Sequence, residues 1–270
     1  EQCHYWGDRA WLEVVEYINS KNNFIALAED LGVDVPKTLC FHRPSEALEA
    51  DLGEIVFPCY AKAAISVAGV GIYRCENAAQ LREALARFDD DVPLQIQEGV
   101  EAISFLNIQY RVVGSELVRL AASEQILDGF AHQGNRVPAS HEPWASVEPM
   151  AHWLVEHGMK GIFAFDVAVV QTERGLRFPA IECNPRFNGA SYPTAIAQKL
   201  DIPEWSAMTV ATNHRTLSGI DLSGIEFDPR TGTGVIIVNW GTVLVGKLLI
   251  MLAGSPAQQA ALRLELETRL

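Results

Sequence analysis

Long uninterrupted apolar runs are missing from this sequence of 270 residues. The longest, residues 243–253, is about half of the ~20 residues that a membrane helix needs and carries Lys247, so it predicts a helix of the core rather than a span. No secretory leader is visible either. The chain opens on Glu1 instead of Met, which predicts a processed form or a fragment whose upstream residues, and an N-terminal domain, are absent. Positive charge is scarce. Lys and Arg number 21 against 34 Asp and Glu, a formal net charge of −13, and the pI is near 5.0. With no basic stripe, such a chain repels a phosphate backbone, so nucleic acid is not an expected partner and any anionic ligand must be held by a few local cations. Cysteine is sparse too. The five present (Cys3, Cys40, Cys59, Cys75, Cys183) have no Cys-x-x-Cys or Cys/His zinc spacing, which predicts buried thiols in a reducing, cytoplasmic compartment.

What the sequence does contain is enough apolar material to fold. The apolar fraction is 49% and the charged fraction 20%, a globular composition. The length predicts one composite unit of two or three lobes. Ser20 can cap a helix that runs to Leu31 and stops at Gly32, with a strand at residues 37–41 after it. A short helix from Ser45, a strand at 55–62 weakened by Pro58, a strand at 72–75, a helix at 78–88 capped by Asn77 and a strand at 94–98 complete a first lobe. Beyond Gly99 strands dominate: 103–113 and 117–127 around a Gly114-Ser115 turn, then a helix at 146–157, then strands at 161–170 and 177–184. The tail alternates helix and strand and ends in a polar, leucine-spaced helix after Pro256.

Two acids interrupt otherwise apolar strands. If residues 173–175 form a three-residue loop with Gly175 in the left-handed conformation, Thr172 pairs with Leu176 and Asp166 falls directly opposite Glu182. Alternation puts Asn184 on the same face and turns Cys183 to the other, into packing. Directly opposed carboxylates are destabilising unless something neutralises them. A divalent cation would do so, since Asp, Glu and the Asn amide oxygen are hard donors of the kind Mg²⁺ takes. The same two acids would also suit a solvated edge hairpin that binds nothing. Lys62 ends an apolar strand just before a loop with Ser66, Gly69 and Gly71, where backbone can approach a ligand closely. That loop is neither a Walker loop nor a GxGxxG turn.

Taken in order, these pieces resemble the ATP-grasp superfamily: a lysine opening a helix, then "GVDVPKT", "FPCYAKA", a Ser-x-x-Gly-x-Gly loop, "IQEGVE", "FDVAVV" and "IECNPRFNGASYP". The resemblance covers residues 19–193. It implies an α+β fold in which two α+β lobes clasp ATP, with the preceding N-terminal domain largely absent. The lobes would comprise residues 19–98 and 99–270, and residues 1–18 a remnant or linker. By the same resemblance Lys21 and Lys62 contact ATP phosphates and Ser66, Gly69 and Gly71 form a lid. Glu98 and Val100 read the adenine and Glu101 the ribose. Asp166, Glu182 and Asn184 hold Mg²⁺, two ions in the family pattern, with Mn²⁺ able to substitute. Arg186 steadies the transferred phosphate. "EQILDGFAHQGNRVP" with "AIECNPRFNGASYP" narrows the likeness to bacterial natural-product peptide and amino-acid ligases. The implied activity is ATP-dependent joining of a carboxylate to an amine, both small molecules such as amino acids or peptides, through an acyl phosphate. A small-molecule kinase or a non-catalytic nucleotide-binding domain are the alternatives. His132, His141, Arg111 and Arg136 are candidates to line the substrate site, and the apolar C-terminal helices could form a homodimer face.

Overall fold

Helix starts follow the capping chemistry of the sequence. Asn77 accepts from the N–H groups of Ala79 and Gln80, and Ser255 forms a reciprocal capping box with Gln258. Ser20 also precedes a helix, but its hydroxyl makes no capping hydrogen bond. The structure is a computed structural model and describes residues 8–53, 55–66, 71–129 and 131–270. In chain order its elements are α1 (Arg9–Ile18), α2 (Lys21–Asp30), β1 (Thr38–Phe41), α3 (Pro44–Glu49), β2 (Cys59–Ala63), β3 (Ile72–Cys75), α4 (Ala78–Leu85), β4 (Leu94–Glu98), β5 (Ala102–Val113), β6 (Glu116–Asp128) and β7 (Ala131–Val137). There follow α5 (Trp144–Glu156), β8 (Gly161–Thr172), β9 (Gly175–Arg177), β10 (Ala180–Asn184), α6 (Ser191–Leu200), β11 (Trp205–Ala211), β12 (Gly234–Asn239), β13 (Lys247–Ala253) and α7 (Pro256–Glu267). The chain divides into two compact units, Glu1–Leu120 with Pro143–Arg186, and Ala121–Glu142 with Phe187–Leu270.

In the first unit β1-β4-β2-β3 form an antiparallel sheet with two chemically distinct faces. Cys59, Ala61, Cys75, Leu94 and Ile96 enter a core with Ala47 of α3 and Leu81 and Leu85 of α4. Alternation turns Thr38, Lys62, Gln95 and Gln97 to the opposite face. Pro58 lies just outside β2, so this central strand keeps its ladder on both sides. The same unit pairs β5 with β8, and β8 with β9 and β10. Behind β5 and β8, Tyr110, Phe163 and Phe165 pack ring against ring, and the Tyr110 hydroxyl donates to the Trp144 carbonyl of α5.

The hairpin of β8 with β9 and β10 reaches the expected pairing by a different route. Its loop is two residues, not three: Thr172 pairs with Gly175 and Gln171 with Leu176. Continued unchanged, that register would put Ile181 opposite Asp166. A bulge between Ala180 and Glu182 shifts it by one, so Glu182 faces Asp166, Cys183 faces Phe165 and Asn184 faces Ala164. At the bulge the Ala180 N–H donates to the Asp34 carbonyl at 2.8 Å, a partner far away in sequence.

In the second unit β6, β7, β11, β13 and β12 are neighbours in that order. The apolar run at 243–253, expected as a helix, is largely strand. A 3₁₀ turn at Gly241–Val245 ends at Gly246 (φ +73°), and β13 follows with β11 on one side and β12 on the other. Leu248, Ile250 and Leu252 enter one core and Met251 and Ala253 another. A strand covered on both faces reads as a continuous apolar run, which periodicity does not separate from a buried helix. β7 was not expected at all, because "AHQGNRV" is polar and broken by glycine. It forms because its polar groups find partners: Asn135 donates to Ser123, and Arg136 pairs with Glu124. Gly134 is required there, since a Cβ would lie 1.9 Å from the Ala207 carbonyl oxygen of β11. Gly134→Ala is therefore expected to destabilise this unit by about 3 kcal/mol or more, read as a lowered thermal midpoint or loss of soluble protein.

Among the described residues, no helix is long and apolar enough to cross a membrane. Of the described cysteines Cys59, Cys75 and Cys183 are buried as expected, whereas Cys40 is exposed at the end strand β1.

Candidate active site

The bulge aligns three polar residues in one row across β5, β8 and β10: Asn107 is paired with Asp166, and Asp166 with Glu182. Asn184 lies two residues along β10 on the same face. Asn107 Nδ2 donates to Asp166 Oδ1 at 2.7 Å, and Asn184 Nδ2 to Asp166 Oδ2 at 3.1 Å. Burial, with the Glu182 charge adding to it, pushes the Asp166 carboxyl well above the usual carboxylate range, and the Asn107 hydrogen bond works against this shift. Cys183, between the two ligand-type residues, is buried on the other face as alternation requires.

Opposing positive charge comes from the same unit. Lys21, at the first turn of α2, reaches Glu182 Oε2 at 3.2 Å and donates to Ser66 Oγ at 3.2 Å. Its backbone N–H is tied to the Ala64 carbonyl at 2.8 Å, which fixes the start of α2 against the end of β2. Lys62 on β2 is only 8% exposed. Burial draws its pKa down to about 8; Glu182 opposes the shift and Lys21 adds to it. Its ammonium donates to Gln97 Oε1 at 2.6 Å. Gln97, Thr38 and Asn107 thus join the candidate site although no sequence signal singled them out. An alternating polar residue in a strand gives no sign of what it will face.

The remaining candidates fall as follows. Glu98 ends β4 and its carboxylate accepts the Lys37 N–H at 2.9 Å. Gly99 donates to the Pro58 carbonyl at 2.7 Å, and a Cβ there would approach that oxygen to 2.6 Å, so the segment leading to Val100 needs glycine. Val100 accepts from Ala102, and Glu101 is exposed. Gly71 has φ +75° and its carbonyl accepts from Ala63 N–H. Gly69 lies outside the described residues. Arg186 is exposed, with Nη1 donating to Asn19 Oδ1 at 3.1 Å. Arg111 is exposed on β5. In the second unit Arg136 is engaged with Glu124, and a ring nitrogen of His132 is 2.6 Å from Asn135 Oδ1.

Two carboxylates and an amide oxygen fit a hard divalent cation that takes its remaining ligands from water and phosphate oxygens. Among the described residues there is no cluster of three or more His, Cys, Asp or Glu side chains of the kind that cages a metal with protein groups alone.

No family profile matches the chain. Over 130 residues, 46% of the chain, it is 27% identical to the D-alanine–D-alanine ligase of Enterococcus faecalis, of which the match spans only 36%. Among solved structures, carboxyaminoimidazole ribonucleotide synthase from Aspergillus clavatus, complexed with ATP, superposes with a TM-score of 0.67 at 11% identity, over 95% of this chain and 74% of that one. Biotin carboxylase from Campylobacter jejuni, in a β,γ-ATP complex, gives 0.68 at 13% identity, over 90% of this chain and 64% of that one. The chain has the ATP-grasp fold.

Proposed function

We propose that this chain is the ATP-binding, catalytic part of a ligase that joins a carboxylate to an amine, with Mg²⁺ and through an acyl phosphate. The observation that carries the reading is the row Asn107-Asp166-Glu182 with Lys21 and Lys62 gathered in the same unit of an ATP-grasp fold. In this reading Asp166, Glu182 and Asn184 hold the cation, which when bound offsets charge on the nucleotide phosphates. Lys62 and Lys21 bind those phosphates, and Arg186 supplies a guanidinium suited to bidentate phosphate contact. Glu98 and Val100 present the adenine contacts, Glu101 the ribose contact, and Ser66 and Gly71 help to cover the phosphates and exclude water.

The chemistry then needs no protein nucleophile. A substrate carboxylate oxygen attacks the γ-phosphorus and ADP leaves, after which the amine nitrogen attacks the acyl carbon and phosphate leaves. Amino acids or short peptides are the proposed substrates, in keeping with the D-alanine–D-alanine ligase likeness. The buried thiols support the further reading that the enzyme works in the cytoplasm.

The test is a screen of amino-acid pairs with MgATP that monitors ADP, free phosphate and the coupled product together. Phosphate release that requires both partners and matches product in amount supports the ligase. A stable phosphorylated product with no free phosphate would replace it with a kinase, and absence of nucleotide binding by the folded chain would remove both.

A further inference from the structure

Lys62 is an unusual cation, because its closest partner is neutral. β2 and β4 pair Tyr60 with Gln97 and Lys62 with Gln95, so Gln97 is a diagonal neighbour of Lys62 on one face of the sheet, within reach of a long side chain. Lys62 Nζ donates to Gln97 Oε1 at 2.6 Å, Gln97 Nε2 donates to Thr38 Oγ1 at 3.0 Å, and Thr38 Oγ1 donates to the Pro36 carbonyl at 2.7 Å. Thr38 is itself the register partner of Gln97 across β1 and β4.

The chain of donors settles which end of the amide faces the lysine. A threonine hydroxyl has one proton, and Thr38 gives it to Pro36, so toward Gln97 it can only accept. Gln97 must therefore present its NH₂ to Thr38 and its oxygen to Lys62. Lys62 and Gln97 are both buried, so the contact is shielded from water and its geometry is set by the sheet. A neutral oxygen orients an ammonium without cancelling its charge. A carboxylate in the same place would cancel it and compete with any incoming anion. The charged groups around Lys62 come from other elements: Lys21 of α2 and Glu182 of β10.

We propose that Gln97 is a positioning residue that holds the Lys62 ammonium on a neutral acceptor, leaving its charge for the nucleotide's phosphates, and that Thr38 fixes the amide in the required orientation. This rests on the reading above that Lys62 binds phosphate. It makes the absence of a carboxylate at position 97 a requirement of the site, where ion-pair reasoning alone would favour one.

The experiment measures MgADP affinity by calorimetry on the whole chain for wild type, Gln97→Glu, Gln97→Met, Thr38→Val and Thr38→Ser. In parallel, the Cε resonance of Lys62 is titrated without nucleotide. Gln97→Glu is expected to weaken binding about tenfold or more, although it offers Lys62 an ionic partner. Gln97→Met is expected to weaken it similarly by leaving the ammonium unplaced. Thr38→Val should lose several-fold and Thr38→Ser should recover it, since the hydroxyl alone is needed. Without nucleotide, the Lys62 midpoint should move up in Gln97→Glu and down in Gln97→Met. A Gln97→Glu variant that binds as tightly as wild type, or a Thr38→Ser variant no better than Thr38→Val, overturns the proposal. If wild type binds no nucleotide, the phosphate reading fails and the titration still decides the contact: midpoints unchanged in both Gln97 variants overturn it.

Discussion

Asp166→Asn is expected to make the metal-free protein more stable and the enzyme nearly inactive. Asp166 and Glu182 are directly opposed across β8 and β10, with Asp166 pushed toward its neutral form by burial and by Glu182. An amide of the same shape removes the repulsion. Asn107 still finds an oxygen acceptor, and Asn184 can rotate its own amide to accept from the new NH₂. Removing an acid that must either stay charged opposite Glu182 or take up a proton on folding gives about 1 kcal/mol, a rise of roughly 2–4 °C for a chain of this size. Turnover should fall at least about 100-fold, because a cation held by one carboxylate and amides is weakly bound. Thermal unfolding in chelator and phosphate release in excess Mg²⁺ measure the two sides. A variant both less stable and fully active would show that these acids are an ordinary solvated pair.

The second large effect is a pH dependence carried by Lys62. Burial draws its pKa in the folded chain down to about 8, from the 10.5 usual for a lysine. If only the ammonium form receives phosphate, nucleotide affinity is level below pH about 8 and falls by about tenfold per unit above it. Lys62→Met should bind about 10–100-fold more weakly at pH 7, the loss of a charge-assisted contact, and should lack the break. Stability must move the opposite way. The folded state releases this proton at lower pH than the unfolded one, so between about 8 and 10.5 the unfolded chain holds more protons and stability rises with pH. Against Lys62→Met as reference, the rise approaches roughly 3 kcal/mol over that window. Calorimetric titrations and chemical unfolding at matched pH read both signs, and a flat affinity profile through pH 9 would remove Lys62 from the phosphate site.

Some of the site was legible in the residues themselves. Asp166 and Glu182 stand out because they interrupt apolar strands, Asn184 shares their face by simple alternation, and Lys62 stands out at the end of a buried strand. Those are one-dimensional signals, since the two-residue period of a strand fixes which side chains lie together. Elements with strong local chemistry were legible for the same reason: the helix capped by Asn77, and the hairpin turn at Gly114. The expected opposition of Asp166 and Glu182 was correct although its argument was not. The loop is shorter than its glycine suggested, and a bulge makes up the difference.

Periodicity and local backbone preference were enough to fix which side chains share a face in the strands the sequence displays, the capped helix starts and the short list of charged exceptions, while the fold class came from the resemblance in the order of its motifs. Tertiary structure alone decided the rest. The bulge is held by the Asp34 carbonyl, far from Ala180 in the chain. β7 exists because β6 and β11 supply the partners its polar sequence lacks. The run at 243–253 became strand because it is covered on both faces and paired on both edges. Asn107, Gln97 and Thr38 acquired their roles only from the residues set against them. Each is an interaction between positions distant in sequence, and hydrogen-bond partners of that kind have no period for a sequence to display.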